Sequence, residues 1–327
     1  MLEVDIEILR RDQTVAANFQ VGQGERFALF GPSGAGKTTV LNALAGLVRI
    51  HKGTVVLGST VLSSTRHPRR QVPLRHRHLG LLRQRAGLFP HLSVRQNLRY
   101  AGASTKELEE LSEQIGIKEL LDRSPATLSG GQAQRAALAR VLLGPCRALL
   151  LDEPFVGLDL SLRTQLAGIV GDIAVARQLP TILVTHELAE AQAFADRIGV
   201  IDRGRIVQID GPSQVVLEPA TRRIAELLGY RGFPPEDPKL VGNRRIGVHP
   251  ARVVTGERVV VGPKDIRAQV RILDSWPSGP GWELLCEYLG EQFSFVAPQR
   301  YYAHQQLSVT ILDPPRFNLD GNRVESR

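Results

Sequence analysis

Hydrophobic and polar positions change period several times along the chain, and each change marks an element. Val15, Ala17, Phe19 and Val21 alternate with polar or small neighbours, which predicts a half-buried antiparallel strand over 14–21. Leu2 to Leu9 predicts its partner strand. Arg26-Phe27-Ala28-Leu29-Phe30 is a short, almost wholly apolar run, as a buried parallel strand requires. Thr39 to Leu47 then shifts to helical spacing and ends beside Gly46. Further strands are predicted at Gly53–Leu57, Leu79–Leu82, Ala148–Leu151, Thr181–Thr185 and Ile198–Ile201. Between the second and third of these, Leu98, Leu108, Leu111, Ile115, Leu120 and Leu121 sit among charged residues at helical spacing. They predict an inserted helical subdomain at about 85–145. Helices are also predicted at Ser161–Arg177, Glu187–Ala195 and Thr221–Leu228.

The pattern changes again after Leu228. Gly229 to Pro238 is rich in Gly and Pro and reads as a linker. Beyond it come short Val- and Ile-rich runs, at Arg258–Val261, Ile266–Leu273, Glu283–Tyr288, Gln292–Val296 and Leu307–Leu312. These predict a small β-barrel or sandwich. The expected organisation is an α/β domain at 1–230, a linker at 231–245 and a β domain at 246–327.

Composition narrows the class. The chain has 327 residues, 43% hydrophobic and 23% charged, enough for two globular domains. No apolar run approaches the ~20 residues a membrane-spanning helix needs. The start, Met1-Leu2-Glu3-Val4-Asp5, reads as an acidic strand and not as a signal peptide. Cys146 and Cys286 stand in no metal-ligand spacing, which suits a reducing compartment. The net charge of +8 permits contact with polyanions or a membrane surface. Arg66 to His78 is a basic, proline-broken stretch that could touch nucleic acid or anionic lipid, but it lacks interleaved aromatics, and a solvated loop is the favoured reading.

Candidate chemistry begins at Gly31-Pro32-Ser33-Gly34-Ala35-Gly36-Lys37-Thr38, which fits the phosphate-cradling pattern G-x-x-x-x-G-K-[ST]. It lies between a predicted strand and a predicted helix opening at Thr39, the context that pattern requires. Its amides would face a polyphosphate at a helix N-terminus. Lys37 would reach the β- and γ-phosphates, and the Thr38 hydroxyl would hold Mg²⁺. Asp152 and Glu153 end a buried strand, where open α/β sheets bind ligands. Asp152 suits the Mg²⁺ hydration shell, and Glu153 suits polarising a water for attack on the γ-phosphorus.

Leu128-Ser129-Gly130-Gly131-Gln132, between the phosphate loop and the Asp-Glu strand end, makes the chain resemble the ATP-binding-cassette (ABC) family. Gln84 matches that family's Q-loop glutamine, Gly157-Leu158-Asp159 its D-loop, and His186 in Thr185-His186-Glu187 its switch histidine. The resemblance implies a P-loop NTPase fold with an antiparallel β flank and a helical subdomain. It implies ATP hydrolysis with Mg²⁺, with Gln84, Glu153 and His186 at the reaction. It also implies a head-to-tail homodimer in which Ser129, Gly130, Gly131, Gln132 and Asp159 complete the other chain's site. The family's adenine-stacking aromatic is absent from Leu9 to Val15, where Arg10 and Arg11 offer guanidinium stacking instead.

Leu88-Phe89-Pro90-His91 and Asn97-Leu98-Arg99-Tyr100 are similar to the Q-loop region of bacterial importer ATPases, above all the molybdate group. The C-terminal part resembles the small OB-like β-barrel domain of that group, entered at Ile246 to Val253. Val261-Gly262-Pro263-Lys264 stands where oxyanion-binding modules carry a Ser-Ala-Arg-Asn-like run. The importer resemblance implies membrane permease subunits as partners, a solute-binding protein as an indirect one, and a place on the cytoplasmic face of the membrane. The cargo expected is molybdate or a related oxyanion, with sulfate, Fe(III) and polyamine as alternatives. A soluble cassette acting on nucleic acid or ribosomes fits less well. Such cassettes carry coiled-coil insertions or tandem copies, whereas Gln84 to Leu128 holds one compact helical insertion.

Overall fold

The computed structural model describes residues 1–232, 245–255, 264–279, 281–318 and 320–324. The chain packs as two compact units, Met1–Pro212 and Ser213–Arg327. The first contains β1 (Leu2–Leu9), β2 (Thr14–Val21), β3 (Arg26–Phe30), α1 (Lys37–Ala45), β4 (Lys52–Leu57), β5 (Thr60–Ser64), β6 (Arg70–Gln71) and β7 (Leu79–Leu82). The helical subdomain follows with α2 (Val94–Arg99), α3 (Thr105–Gln114) and α4 (Gly130–Leu143). The chain then returns through β8 (Ala148–Asp152), α5 (Leu160–Ala176), β9 (Thr181–Thr185), α6 (Leu188–Phe194), β10 (Arg197–Asp202) and β11 (Arg205–Asp210).

All eleven strands join one sheet, in the order β6-β5-β4-β1-β2-β11-β10-β3-β9-β8-β7. The run β10-β3-β9-β8-β7 is parallel, and β6-β5-β4-β1-β2 is the antiparallel flank. Strands β8 and β9 are buried at every residue, as expected for parallel strands covered on both faces. In β2 only Val15, Ala17, Phe19 and Val21 are buried, which matches their period of two. One apolar core joins Leu2, Val4, Ile6 and Ile8 of β1, Val40, Leu41 and Leu44 of α1, and Leu150, Ile182 and Val184.

The stretch Arg66–His78 departs from the expected solvated loop. It contains β6 and a 3₁₀ turn at Leu74–His76, and Arg77 is only 1% exposed. The Arg77 guanidinium donates to Leu44 O at 2.7 Å, Val72 O at 2.7 Å and Ser63 Oγ at 2.8 Å. It therefore takes up a carbonyl in the last turn of α1, where the helix dipole favours a cation. Gly46 makes room for it: a Cβ there would lie 2.5 Å from Arg77 Nε. Burial pulls the guanidinium below its ordinary pKa. Arg147 makes a second tie, donating to Leu57 O at 3.3 Å while its own amide donates to His78 O at 2.8 Å. The two ends of the sheet thus curl toward each other.

The second unit contains α7 (Pro212–Leu217), which begins at the boundary, α8 (Arg222–Leu227), β12 (Arg245–Ile246), β13 (Val253–Thr255), β14 (Ile266–Ser278), β15 (Gly281–Tyr288), β16 (Glu291–Ala297), β17 (Gln306–Ile311), β18 (Arg316–Phe317) and β19 (Arg323–Val324). Five strands form an antiparallel sheet, β13-β17-β14-β15-β16, whose end strands approach each other. This curled sheet is an OB-like half-barrel around Val270, Ile272, Leu284, Phe293, Phe295 and Ile311. The expected strand at Arg258–Val261 and most of the linker lie outside the described residues. The stretch 213–230, expected in the first domain, packs with the second unit. Its bonds explain this: Arg222 N donates to Gly321 O at 2.8 Å, and Glu218 pairs with Arg323 at 2.9 Å.

Arg77→Met keeps an unbranched apolar stem but leaves three acceptors without a donor. The expected loss is about 3 kcal/mol, from hydrogen bonds of a charged donor. A chemical-denaturation midpoint unchanged from wild type would contradict this role for Arg77.

Candidate functional site

Strand order places the candidate residues. Strands β3, β9, β8 and β7 are consecutive neighbours and run parallel, so their C-terminal ends lie in a row. The phosphate loop leaves β3, His186 follows β9, Asp152 and Glu153 end β8, and Gln84 follows β7. Ligands in open α/β sheets bind beyond the strands' carboxyl ends.

The loop itself is built for close approach. A Cβ at Gly31 would fall 2.1 Å from Ile201 O, and Gly36 has φ 107°, which only glycine adopts without strain. Gly36 caps α1, and Lys37 is its first residue. Lys37 is 6% exposed and donates from Nζ to Gly31 O at 2.8 Å and Pro32 O at 2.9 Å. Its ammonium therefore lies folded over the loop's own carbonyls. Burial lowers its pKa, while Glu153 and Asp152 act in the opposite direction. Thr38 Oγ1 donates to Asp152 Oδ1 at 3.1 Å. Burial raises the Asp152 pKa, and the Thr38 hydrogen bond works against that rise.

Glu153 is held from two sides. Gln84 Nε2 donates to its Oε2 at 3.0 Å, and His186 Nδ1 lies 2.8 Å from its Oε1. Its backbone has φ 49°, a left-handed conformation that non-glycine residues adopt at a cost of order 1 kcal/mol. The Glu153 N–H to Val184 O bond, 2.9 Å, ties it to the neighbouring strand. A cleft of about 1000 Å³ opens in front, lined by Leu9, Arg10, Arg11, Asp12 and Gln13, by Ser33, Gly34 and Gly36 to Thr39, and by Gln84 and Glu153. No aromatic side chain among the described residues lines it. Gln13 Nε2 donates to Gly34 O at 3.0 Å and ties the first loop to the second.

The residues present fit a Mg²⁺–nucleotide. Thr38 and Asp152 supply paired hard-oxygen donors beside the loop, which Mg²⁺ prefers. The buried ammonium of Lys37 and the helix N-terminus supply the positive field.

Ser129, Gly130, Gly131, Gln132 and Asp159 are not part of this cleft. Ser129 caps α4, its hydroxyl accepting from Gln132 N at 3.3 Å while Gln132 Oε1 accepts from Ser129 N at 2.9 Å. Asp159 caps α5 through Leu162 N at 3.0 Å. A Cβ on Gly131 would lie 3.3 Å from Leu158, so the two loops are neighbours.

Sequence reasoning did not reach the network behind His186. Thr185 Oγ1 accepts from Glu187 N at 3.0 Å and donates to the carboxylate of Glu190, which is 5% exposed. Burial raises the Glu190 pKa. Arg163 pairs with Glu187 and also donates to Leu158 O at 3.4 Å, linking the segment before α5 to the one carrying His186. Glu187 and Glu190 are spaced like ordinary helix-surface acids, so nothing in the sequence marked them.

Residues 15–156 match the family model described as ABC transporter. A thiamine import ATP-binding protein of Yersinia pseudotuberculosis is 38% identical over 222 residues, spanning 65% of this chain and 90% of that one. The chain belongs to the ABC transporter family. Within it, an Fe(3+) ions import ATP-binding protein of Mesorhizobium japonicum is 39% identical over 218 residues, covering 65% of this chain and 60% of that one. The solved structure of an ATP binding subunit of an ABC transporter superposes with a TM-score of 0.57 at 26% identity, covering 70% of this chain and 94% of the other. This ABC protein is an ATP-binding, ATP-hydrolysing subunit of the importer type. No helix among its described residues is long and apolar enough to cross a membrane.

Proposed function

We propose that two copies of this chain form the motor of an ABC importer, seated on the cytoplasmic face of a membrane permease that a solute-binding protein supplies. The observation that carries the reading is the Glu153 carboxylate, clasped by Gln84 and His186 at the mouth of the phosphate-loop cleft. The loop from Gly31 to Thr39 holds the ATP phosphates with its amides and with Lys37. Thr38, Asp152 and Gln84 hold the Mg²⁺ shell; bound Mg²⁺ would neutralise charge on the β- and γ-phosphates. Glu153 accepts a proton from the attacking water, and His186 and Gln84 keep its carboxylate aimed. Arg10 or Arg11 lies against the base.

Ser129, Gly130, Gly131, Gln132 and Asp159 complete the site of the second copy. The N-terminus of α4, a helix of fourteen residues, presents free amides suited to the terminal phosphate. Leu160 is 76% exposed beside Asp159, which supports a surface covered in the dimer.

The permease contact falls at Phe89 and Leu92. The Phe89 backbone is already tied down, its N–H donating to Asn97 Oδ1 at 2.8 Å and its carbonyl accepting from Asn97 Nδ2 at 3.1 Å. Its half-buried ring stands edge-on to Tyr100 at 4.8 Å, and Tyr100 is 71% exposed. The two rings make an aromatic ledge that a short permease helix would cover. The cargo we assign is a small oxyanion, molybdate foremost, on the resemblance around Leu88–His91 and Asn97–Tyr100. Sulfate, Fe(III) and polyamine are the competing cargoes. Iron and thiamine import relatives match the cassette almost equally, because the cassette does not touch the solute.

Glu153→Gln is expected to keep ATP binding, trap an ATP-bound dimer and slow turnover by at least ~10²–10⁴, as for loss of a general base. Turnover near wild type would remove Glu153 from that role. Phe89→Ala retains both Asn97 bonds and is expected to fold and bind ATP, yet to lose co-purification with the permease and transport of labelled molybdate. Normal co-purification and transport in that variant would place the ring in a structural role only.

A further inference from the structure

Between Glu25 and Glu107 the chain contains no Asp or Glu, yet it carries fourteen Lys and Arg. Surfaces ordinarily intersperse both signs. Several of these cations have evident uses. Lys37 belongs to the phosphate loop, and Arg77 is buried below α1. Arg26 and Arg95 make close ion pairs, while Lys52 and Arg66 each lie 3.5 Å from a carboxylate, on Glu7 and Asp5. Arg69, Arg70 and Arg75 are exposed and have no acidic partner among the described residues.

All three fall within seven residues, on backbone that the sheet and the bonds of Arg77 fix. Arg70 belongs to β6, the outermost strand of the sheet, in register with Ser64 of β5. Arg75 lies on the 3₁₀ turn at Leu74–His76, which the buried Arg77 just beyond it anchors to Leu44, Val72 and Ser63. The bonds of Arg77 thus hold a cationic edge facing solvent. Like charges held side by side repel, and an anionic surface relieves that cost.

We propose that this edge, made by Arg69, Arg70 and Arg75, docks on anionic phospholipid headgroups. Residues 64–79 contain no Phe, Tyr or Trp, so the edge lacks the stacking platform that single-stranded nucleic acid uses. Leu74, 39% exposed beside Arg75, offers an apolar side chain suited to the headgroup boundary. The same carboxylate-free segment runs on to Phe89 and Leu92, the proposed permease contact. The location beside a membrane therefore rests on the importer reading.

The test uses the full chain and sedimentation with vesicles. Binding is expected to vesicles of phosphatidylglycerol and phosphatidylcholine but not to phosphatidylcholine alone, and to weaken as salt rises. The triple substitution Arg69→Gln, Arg70→Gln, Arg75→Gln is expected to lose roughly a hundredfold in vesicle affinity while keeping wild-type ATP affinity. Should the triple variant misfold, Arg69→Gln with Arg75→Gln leaves β6 untouched and is expected to lose roughly thirtyfold. Equal binding of wild type and variants, equal binding to phosphatidylcholine alone, or binding of single-stranded RNA with none to vesicles would each overturn the proposal. Permease co-purification is read separately, so a failed lipid surface is distinguishable from a failed importer assignment.

Discussion

Two carboxylates side by side at the end of a buried strand are the constraint on which the site depends. Asp152 is drawn toward protonation by burial and by the neighbouring charge of Glu153. Each is held by a different donor set. Thr38 bonds Asp152, while Gln84 and His186 clasp Glu153. Lys37 supplies the nearby positive charge. The left-handed backbone at Glu153 carries a cost that its N–H bond to Val184 O helps the sheet to sustain. The order β3-β9-β8-β7 brings the phosphate loop, His186, the two carboxylates and Gln84 into one row of strand ends.

The parts legible in the sequence are those where local pattern and chemistry coincide. The apolar run before Gly31, the glycines and Lys37 define a strand, a turn and a helix start within a few residues. Glu153 and His186 follow continuous apolar strands, and Gln84 lies just beyond a third, so their position in a row followed from strand type alone. Short strands were harder. β5 and β11 have mixed patterns, with half-exposed residues that carry no firm period, and β6 is only two residues, both exposed. Arg77 was hidden because an arginine among arginines reads as surface; only the packing against α1 shows why one of them is buried. Glu190 was hidden for the same reason among helix-surface acids. The stretch 213–230 keeps helical composition to its end, so no composition change marks the point where its bonds pass to the C-terminal strands.

The intact cleft and the displaced signature residues lead to the central claim. Lys37 and Glu153 line a cleft that Ser129 and Gly130 do not, while the latter cap a helix with amides to spare. We propose that a site divided in this way is completed by a second chain, with nucleotide as the link between them. On that proposal ATP binding and hydrolysis act as a switch, because only the paired state would make both sets of contacts.

Mixing two damaged chains tests this directly. In a Glu153→Gln background, one chain carries Ser129→Arg and the other Lys37→Ala. Size-exclusion chromatography with labelled ATP then reads trapped dimer. The account predicts that neither chain alone traps a dimer, and that the mixture traps one with a single ATP for every two chains. A mixture that traps no more than the separate chains would contradict the shared site.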